Sequence, residues 1–196
     1  MLPASNNKIE TYEDVDMTQN MDKDLATAWL AMKKFCLLVN LGTQTERFIR
    51  LEIIYETMIA VFYRVLDMSF AKGSMDDSAR QGLLCFCYHV FLQWQDIRPS
   101  YHHFPAAYRS CILDFERVDG GSSRYMLWLL MTGATSIFNV PNEDWLRERL
   151  RKYASRCEVK TWKDMQEILK SFMWIALLDD QPGKRIFDFI NLAEKR

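Results

Sequence analysis

Apolar residues along this chain recur mostly at intervals of three and four, a spacing that places them on one face of an α-helix. One such stripe contains Leu25, Ala28, Trp29, Met32 and Cys36. The sequence has no convincing run in which apolar and polar residues alternate, as they do in a half-buried strand. The pattern therefore predicts an all-α protein.

Start and stop signals set the expected limits of the first two helices. The first helix is predicted to begin at Asp22 and to end at Gly42, because glycine is favoured just after a last helical turn. Thr43 and Glu46 have the spacing of a capping box, which predicts that a long second helix follows directly and includes Phe48. Apolar residues surround much of this second helix, so we expect it at the centre of the core.

Similar signals divide the remainder of the chain. Helices are expected to start at polar caps or at proline. The predicted fold is an irregular helical bundle of about seven or eight helices joined by short loops. In chain order the signals are Asp76 or Ser78 before a helix that reaches about Trp94, Pro105 before a shorter helix, a buried helix over residues 124–139, Asn142 as a cap, Thr161 with Asp164 as a second capping box, and residues 179–183 as a stop before a last short helix.

Polar composition separates the beginning of the chain from the rest. Residues 1–24 hold two lysines and six acidic residues. We expect residues 1–21 to be a disordered acidic lead-in and residues 22–196 to form a single domain. An acidic activation segment is the alternative for the lead-in, but that segment has too few leucine and aromatic residues.

Composition and charge narrow the class of protein. The chain has 196 residues, of which 49 % are hydrophobic, so it can bury a substantial core. Its 25 Lys and Arg against 26 Asp and Glu give a net charge of −1, which provides no overall field for nucleic acid or an anionic membrane. The start of the chain has no apolar stretch typical of a secretory signal, and the runs 83–92 and 125–131 are too short to span a membrane. These features predict an intracellular protein without a membrane span.

Candidate chemistry is sparse. The five cysteines form no pair of CxxC motifs, so buried, reduced thiols are expected and no metal or cofactor is predicted. The aspartate pairs at 76–77 and 179–180 are interpreted as a helix start and a helix stop rather than as magnesium ligands. The three histidines show no metal-ligand spacing and are expected to be satisfied core or surface residues; they are His89, His102 and His103. A Cys–His nucleophile pair stays open, but nothing in the sequence favours it.

One segment is strongly basic. Between Arg147 and Lys160 there are six Lys or Arg residues and two Glu. Their positions fall opposite the apolar face of that helix, which favours a solvated helix face. The alternative is a partner-binding or phosphate-contacting surface, with Arg149, Lys152 and Arg156 as its candidate residues.

The last third of the chain resembles a known family. An apolar helix from Trp128 ends in small residues at Gly133, an acidic residue and Trp145 open the next helix, Trp162 lies just inside another, and a Leu-x-x-Phe-apolar-Trp pattern ends at Trp174. This order is similar to the regulatory domain of fungal zinc-cluster transcription factors. Residues 125–190 carry the likeness, and residues 46–55 add a weaker one.

The resemblance implies a non-enzymatic, nuclear domain that regulates transcription through protein contacts. Its partner would be another protein, the remainder of a regulator, or a second copy in a homodimer. The cysteines that hold the zinc cluster of this family are missing here, so no sequence-specific DNA binding by this chain is expected. The chain looks like the C-terminal portion of such a domain, as a truncated paralogue, a partial gene product or a free-standing relative. The alternative is a small helical enzyme or small-molecule-binding protein of a fungal secondary-metabolite pathway.

Overall fold

The computed structural model describes residues 17–47, 49–92, 103–118 and 121–192. Within these residues the chain is 81 % helical and has no strand, which confirms the predicted all-α bundle. The eight longer helices are α1 (Lys23–Gln44), α2 (Leu51–Asp67), α3 (Met75–Cys87), α4 (Phe104–Val118), α5 (Ser123–Ser136), α6 (Asp144–Arg156), α7 (Trp162–Phe172) and α8 (Ala176–Leu192). A π-helical turn, Tyr88–Leu92, follows α3, and a 3₁₀ turn, Val140–Asn142, precedes α6.

Helix α5 is the centre of the bundle. It contacts α3, α6, α7 and α8, and the ten consecutive residues from Tyr125 to Ala134 are all buried. Two glycines allow neighbouring side chains to approach closely. A Cβ atom on Gly82 of α3 would lie only 2.6 Å from Leu129 Cδ2, and one on Gly133 would lie 2.9 Å from the Tyr108 ring.

Tryptophans link this centre to the end of the chain. Trp128 Nε1 donates a hydrogen bond of 2.9 Å to the carbonyl of Met173, and the Trp128 ring lies 5.9 Å from that of Phe172. Trp128, Trp145 and Trp174 are buried in the core, whereas Trp162 is half-buried and packs against its edge.

Two of the predicted helix starts are confirmed. The Asp22 carboxylate accepts hydrogen bonds from the backbone N–H groups of Asp24 and Leu25. Thr161 and Asp164 form a capping box at the start of α7. In both places a side chain satisfies helix N–H groups that have no partner within the helix.

The predicted boundary between the first two helices is wrong. Helix α1 continues through Gly42 to Gln44, and the Thr43 hydroxyl donates to the carbonyl of Val39 instead of capping a new helix. Glu46 has a φ of 53° and lies in the connection, and α2 begins only at Leu51. Gly42 stays helical because the chain folds back closely there, so that a Cβ atom on it would lie 3.0 Å from the Arg47 carbonyl oxygen.

The caps of two further helices differ from the predicted residues. Ser74, rather than Asp76 or Ser78, caps α3 through a bond from Asp77 N–H to its hydroxyl. Asn142 belongs to the 3₁₀ turn, and Glu143 occupies the cap position of α6. A separation of one or two residues between possible caps is beyond what spacing alone can resolve.

The stop predicted at residues 179–183 is wrong, because these residues lie inside α8 and include Pro182. The break comes earlier, at residues 173–175. There the Asp179 carboxylate accepts the N–H of Ile175 at 2.7 Å and so caps α8 instead of ending a helix. Gly183 lets α8 approach the Trp162 and Trp174 rings, each within 2.9 Å of where its Cβ atom would lie.

The lead-in and several short predictions meet the limits of the described residues. Met21 is buried and Met17 packs against the core, so residues 17–21 belong to the domain rather than to the lead-in. Residues 1–16, Phe48, Trp94, His102 and the predicted turn at 96–100 lie outside the described residues.

Candidate protein-interaction site

Helix α2 lies at the outside of the bundle, and its predicted central position is wrong. It packs mainly against α1 and α3, and only Val61 and Val65 are buried. Five large apolar side chains, spaced by four, four, four and three residues, instead lie along an exposed face. We call this set the outer stripe; its members are Leu51, Tyr55, Ile59, Tyr63 and Leu66.

The side chains of the outer stripe are largely exposed to solvent. Ile59 is 53 % exposed and Tyr63 is 72 % exposed. Helix α1, which forms a hairpin with α2, also turns leucines outward, on the side opposite its buried Leu25, Trp29 and Met32. Its exposed leucines are Leu30, Leu37, Leu38 and Leu41. Large exposed apolar areas of this kind are typical of interaction surfaces.

One edge of the outer stripe is acidic. Glu52, Glu56 and Asp67 are exposed and each directly follows a stripe residue, which places them about 100° further round the helix. The opposite edge is apolar and is formed by the half-buried Met58 and Phe62. The site is thus an apolar strip with a carboxylate border on one side.

The basic residues predicted as a partner surface are held largely within the molecule. Arg149 Nε and Lys152 Nζ donate to the Glu116 carboxylate of α4 at 2.8 and 2.6 Å, and Tyr153 donates to it at 3.0 Å. The Arg149 side chain is only 24 % exposed. Arg156 lies on the exposed side, with its guanidinium 5.3 Å from the centre of the Tyr153 ring.

This cluster changes the acidity of Glu116. Burial on its own would raise the pKa of the Glu116 carboxyl, but hydrogen bonds from Lys152, Arg149 and Tyr153 outweigh burial and lower that pKa to about 2. Glu116 therefore stays ionised and holds α6 against α4.

Other basic side chains of α6 also have internal partners. Arg151 Nε donates to the carbonyl of Ile190 in α8 at 3.0 Å, and Arg147 donates to the carbonyl of Val140 at 3.0 Å and pairs with Asp144. The basic character of this helix, which was prominent in the sequence, thus serves mainly to fasten α6 to its neighbours.

A cavity of about 500 Å³ opens at the turn of the α1–α2 hairpin. Its wall is mostly apolar, with Glu46 and Arg47 among the lining residues. Local sequence patterns do not predict this cavity, because its wall combines residues from four separate segments. These are Phe35, Val39, Gly42 and Thr43 of α1, Glu46, Arg47, Ile49 and Ile54 of the connection and α2, Val90, and Ile175, Leu177 and Leu178.

A histidine–aspartate pair connects the π-helical turn with α8. His89 Nε2 lies 2.7 Å from Asp179 Oδ1, and the Asp179 side chain is only 1 % exposed. His89 is half-buried and has a hydrogen-bonding partner, as the sequence predicts. The sequence pattern predicts Asp179 as part of a helix stop and therefore does not indicate that it is the partner of His89.

The buried thiols are poor nucleophiles. Burial raises the pKa of the Cys85 thiol to about 12, and it raises the pKa values of Cys36 and Cys87 as well. Nucleophilic catalysis by cysteine uses the thiolate, which these thiols do not form at neutral pH. Within the part of the chain that the structure describes, no group of three or more His, Cys, Asp or Glu residues could hold a metal ion.

Helix α1 meets the length and composition that a membrane span requires, and it is the one helix of the described residues that does so. It is nevertheless tied into the fold. Lys33 Nζ donates to the carbonyl of Ser171 at 2.9 Å, and Asn40 Nδ2 donates to that of Trp174 at 2.7 Å. These bonds are what a core helix makes, and the absence of a membrane span stays a prediction.

Comparison of the chain with protein-family models, with curated proteins and with solved structures gave no match. The likeness to fungal zinc-cluster regulators therefore stays a prediction from sequence. The geometry of the exposed apolar surface is the firmest basis for a functional hypothesis.

Proposed function

We propose that this chain is a non-enzymatic domain that regulates transcription through contacts with other proteins in the nucleus. The outer stripe of α2 carries the proposal, because five large apolar side chains face outward from one helix. The family resemblance supplies the transcriptional context, and the partner is another protein or the remainder of a regulator.

The energetics of the outer stripe are suited to protein binding. Complete burial of a Leu or Ile side chain stabilises by about 1.5–3 kcal/mol, and these side chains are already partly covered. Several of them together can offset the roughly 4–15 kcal/mol that association costs in lost motion. A flat, elongated strip also fits a helix better than a compact ligand.

Charge supports a protein partner rather than direct recognition of DNA. The net charge of the chain is −1, and Arg147, Arg149, Arg151 and Lys152 are engaged by carboxylates or carbonyl groups of the same molecule. DNA binding draws on free basic side chains that neutralise phosphates. We therefore expect weak, salt-sensitive and sequence-independent DNA binding at most.

A reporter assay tests the proposal. The full chain is fused to an unrelated DNA-binding domain, and the output of a reporter gene is compared with that of the DNA-binding domain alone. We expect the fusion to change the output and Ile59→Asp to remove most of the change. Val118→Asp is the matched control, because Val118 is a 71 % exposed apolar residue at the end of α4, a different helix from the one that carries the outer stripe.

Two further arms complete the assay. Equal output from Ile59→Asp and wild type, at equal protein levels, would remove the outer stripe from the proposal. Charge reversal at Arg149, Lys152 and Arg156 tests the predicted basic surface. It is informative only if circular dichroism shows that the variant is folded, since Glu116 loses its partners.

A small-molecule-binding protein is the second candidate, and the 500 Å³ apolar cavity is the observation that favours it. Val39→Trp would place an indole in this space. Binding of an apolar fluorescent dye that is lost in Val39→Trp, but kept in Ile59→Asp, would support this candidate. Turnover of a small molecule by the purified chain would favour the enzyme alternative.

A further inference from the structure

The outer stripe has different borders on its two sides, and this difference specifies its partner. On one side lie the carboxylates of Glu52, Glu56 and Asp67; on the other lie Met58 and Phe62. The single base on α2, Arg64, directly follows the stripe residue Tyr63 and so lies on the same side as the carboxylates, three residues before Asp67. With three carboxylates and one guanidinium, this border keeps a net charge of −2.

From this arrangement we infer that the outer stripe docks an amphipathic helix of another protein whose apolar face is bordered by lysine or arginine. This inference rests on the proposed function and names the chemistry of the partner. The apolar face of the partner helix covers the outer stripe from Leu51 to Leu66, a length of about four to five turns. Basic side chains along one border of the partner helix meet the three carboxylates beside the stripe.

A second copy of this chain does not supply that chemistry. A symmetric pair brings two copies of the same border to the interface, each with three carboxylates and one arginine, so an excess of negative charge stays unneutralised whether the two α2 helices run parallel or antiparallel. The basic helix α6 of a second copy is no better, because Leu146 and Leu150 on its apolar face are buried and Arg149 and Lys152 are bound to Glu116.

The chain segment before Met17 is also unsuitable as the occupant. It carries Lys8 against Glu10, Glu13, Asp14 and Asp16, so its net charge has the same sign as the border. The partner that charge selects is consequently a separate, basic amphipathic helix.

Labelled synthetic helices test the inference against the full chain. Each peptide has about 18 residues, or five turns. The first has a leucine face bordered by lysine, the second has the same face bordered by glutamate, and the third keeps the lysines but has serine in place of leucine. Fluorescence anisotropy during titration with protein gives the dissociation constants.

We expect the lysine-bordered peptide to bind about tenfold more tightly than the glutamate-bordered peptide, because each exposed ion pair contributes up to about fivefold and three pairs are available. This preference should shrink between about 50 and 300 mM salt. The serine peptide should not bind. In Glu52→Lys/Glu56→Lys the preference should reverse, whereas Ile59→Asp should weaken binding of both leucine peptides.

The matched control is Glu148→Lys/Glu167→Lys, which changes the net charge equally at exposed positions on α6 and α7. If this control reverses the preference too, the overall charge and not the border selects the peptide, and the inference is wrong. Equal binding of the lysine and glutamate peptides, lost in both cases with Ile59→Asp, overturns the charge selection but leaves the outer stripe as a docking surface.

Three more results would overturn the inference. The first is that neither leucine peptide binds. In that case the reporter assay alone tests the proposed function. Another is a dimer of the wild-type chain, seen by sedimentation and abolished by Ile59→Asp, because a second copy would then occupy the outer stripe. The third is binding of the serine peptide as tightly as the leucine peptide, since apolar contact would then contribute nothing.

Discussion

In α5 the ten residues from Tyr125 to Ala134 are all buried, whereas in α2 only Val61 and Val65 are buried, although twelve of its seventeen residues are apolar. The two helices differ in their neighbours. Helix α5 is enclosed by α3, α6, α7 and α8, while α2 packs mainly against α1 and α3 at the outside. Apolar content thus does not decide burial by itself. The exposed apolar side chains on α2 are the main indication of a binding surface.

The same contrast holds for charged side chains. Glu116 lies beside the core and receives hydrogen bonds from Arg149, Lys152 and Tyr153. The side chains of Glu52 and Glu56 on α2 are exposed and make no hydrogen bond or ion pair with the described residues. Charges near the core fasten helices together, whereas those beside the outer stripe are free to meet a partner.

The largest expected effect is in the enclosed region. Phe172→Ala should lower the free energy of unfolding by about 3–5 kcal/mol, because it leaves a cavity where the ring packs against Tyr125 and Trp128. Chemical denaturation measures the change. The control is Phe189→Ala on α8, where the side chain is 40 % exposed and the cost should be about 1 kcal/mol or less. A cost below about 1 kcal/mol for Phe172→Ala would mean that α7 does not pack as described.

A pair of substitutions two residues apart tests α2 directly. Val61→Ala should cost about 1–3 kcal/mol, because Val61 is fully buried. Ile59→Ala removes a larger side chain but should change the free energy of unfolding by no more than about 0.5 kcal/mol, because Ile59 faces outward. Equal costs at the two positions would contradict the exposed face of α2 and with it the outer stripe.

The smallest expected effect concerns Glu116. Its pKa is lowered from the ordinary value of 4.5 to about 2, so the ionised carboxylate stabilises the folded chain above about pH 4.5 and this contribution is lost as the pH falls toward 2. Because Lys152 is partly exposed, solvent screens its ion pair with Glu116. We therefore expect the ionised Glu116 carboxylate to contribute about 1–2 kcal/mol to the free energy of unfolding. Denaturation at a series of pH values should show a shallower acid loss for Glu116→Gln than for wild type.

Lys152→Met is the companion variant, since it removes one donor and keeps the carboxylate. It should give an acid dependence between those of wild type and Glu116→Gln. If wild type and Glu116→Gln lose stability in parallel between pH 6 and pH 3, the ion cluster does not join α4 to α6 as the geometry indicates.

Much of the fold could be predicted from sequence, and the errors have a common cause. The helical class, the buried face of α7 with Ile168 and Leu169, and the caps at Asp22 and Thr161 follow from patterns a few residues long. The local rule for glycine predicts a helix stop at Gly42, but it does not include the close approach of the Arg47 carbonyl to that position.

The candidate site divides in the same way. The apolar residues of α2 can be recognised from their periodicity. Periodicity does not show which of them face the core, because a helix with apolar residues on most sides has a similar pattern whether it is enclosed or peripheral. Basic residues on α6 suggested a surface, but spacing could not reveal Glu116, which is 33 residues away from Arg149.

The sequence by itself determined that the chain forms helices, where several of them begin, and which residues are apolar enough for a core. These properties depend on contacts between residues three or four apart, which the order of residues contains directly. Only the tertiary structure decided that α5 is enclosed and α2 is peripheral, that Asp179 caps a helix beside His89, and that the basic helix is neutralised by Glu116. Those outcomes depend on which distant segments meet, because burial and ion pairing are properties of neighbours in space.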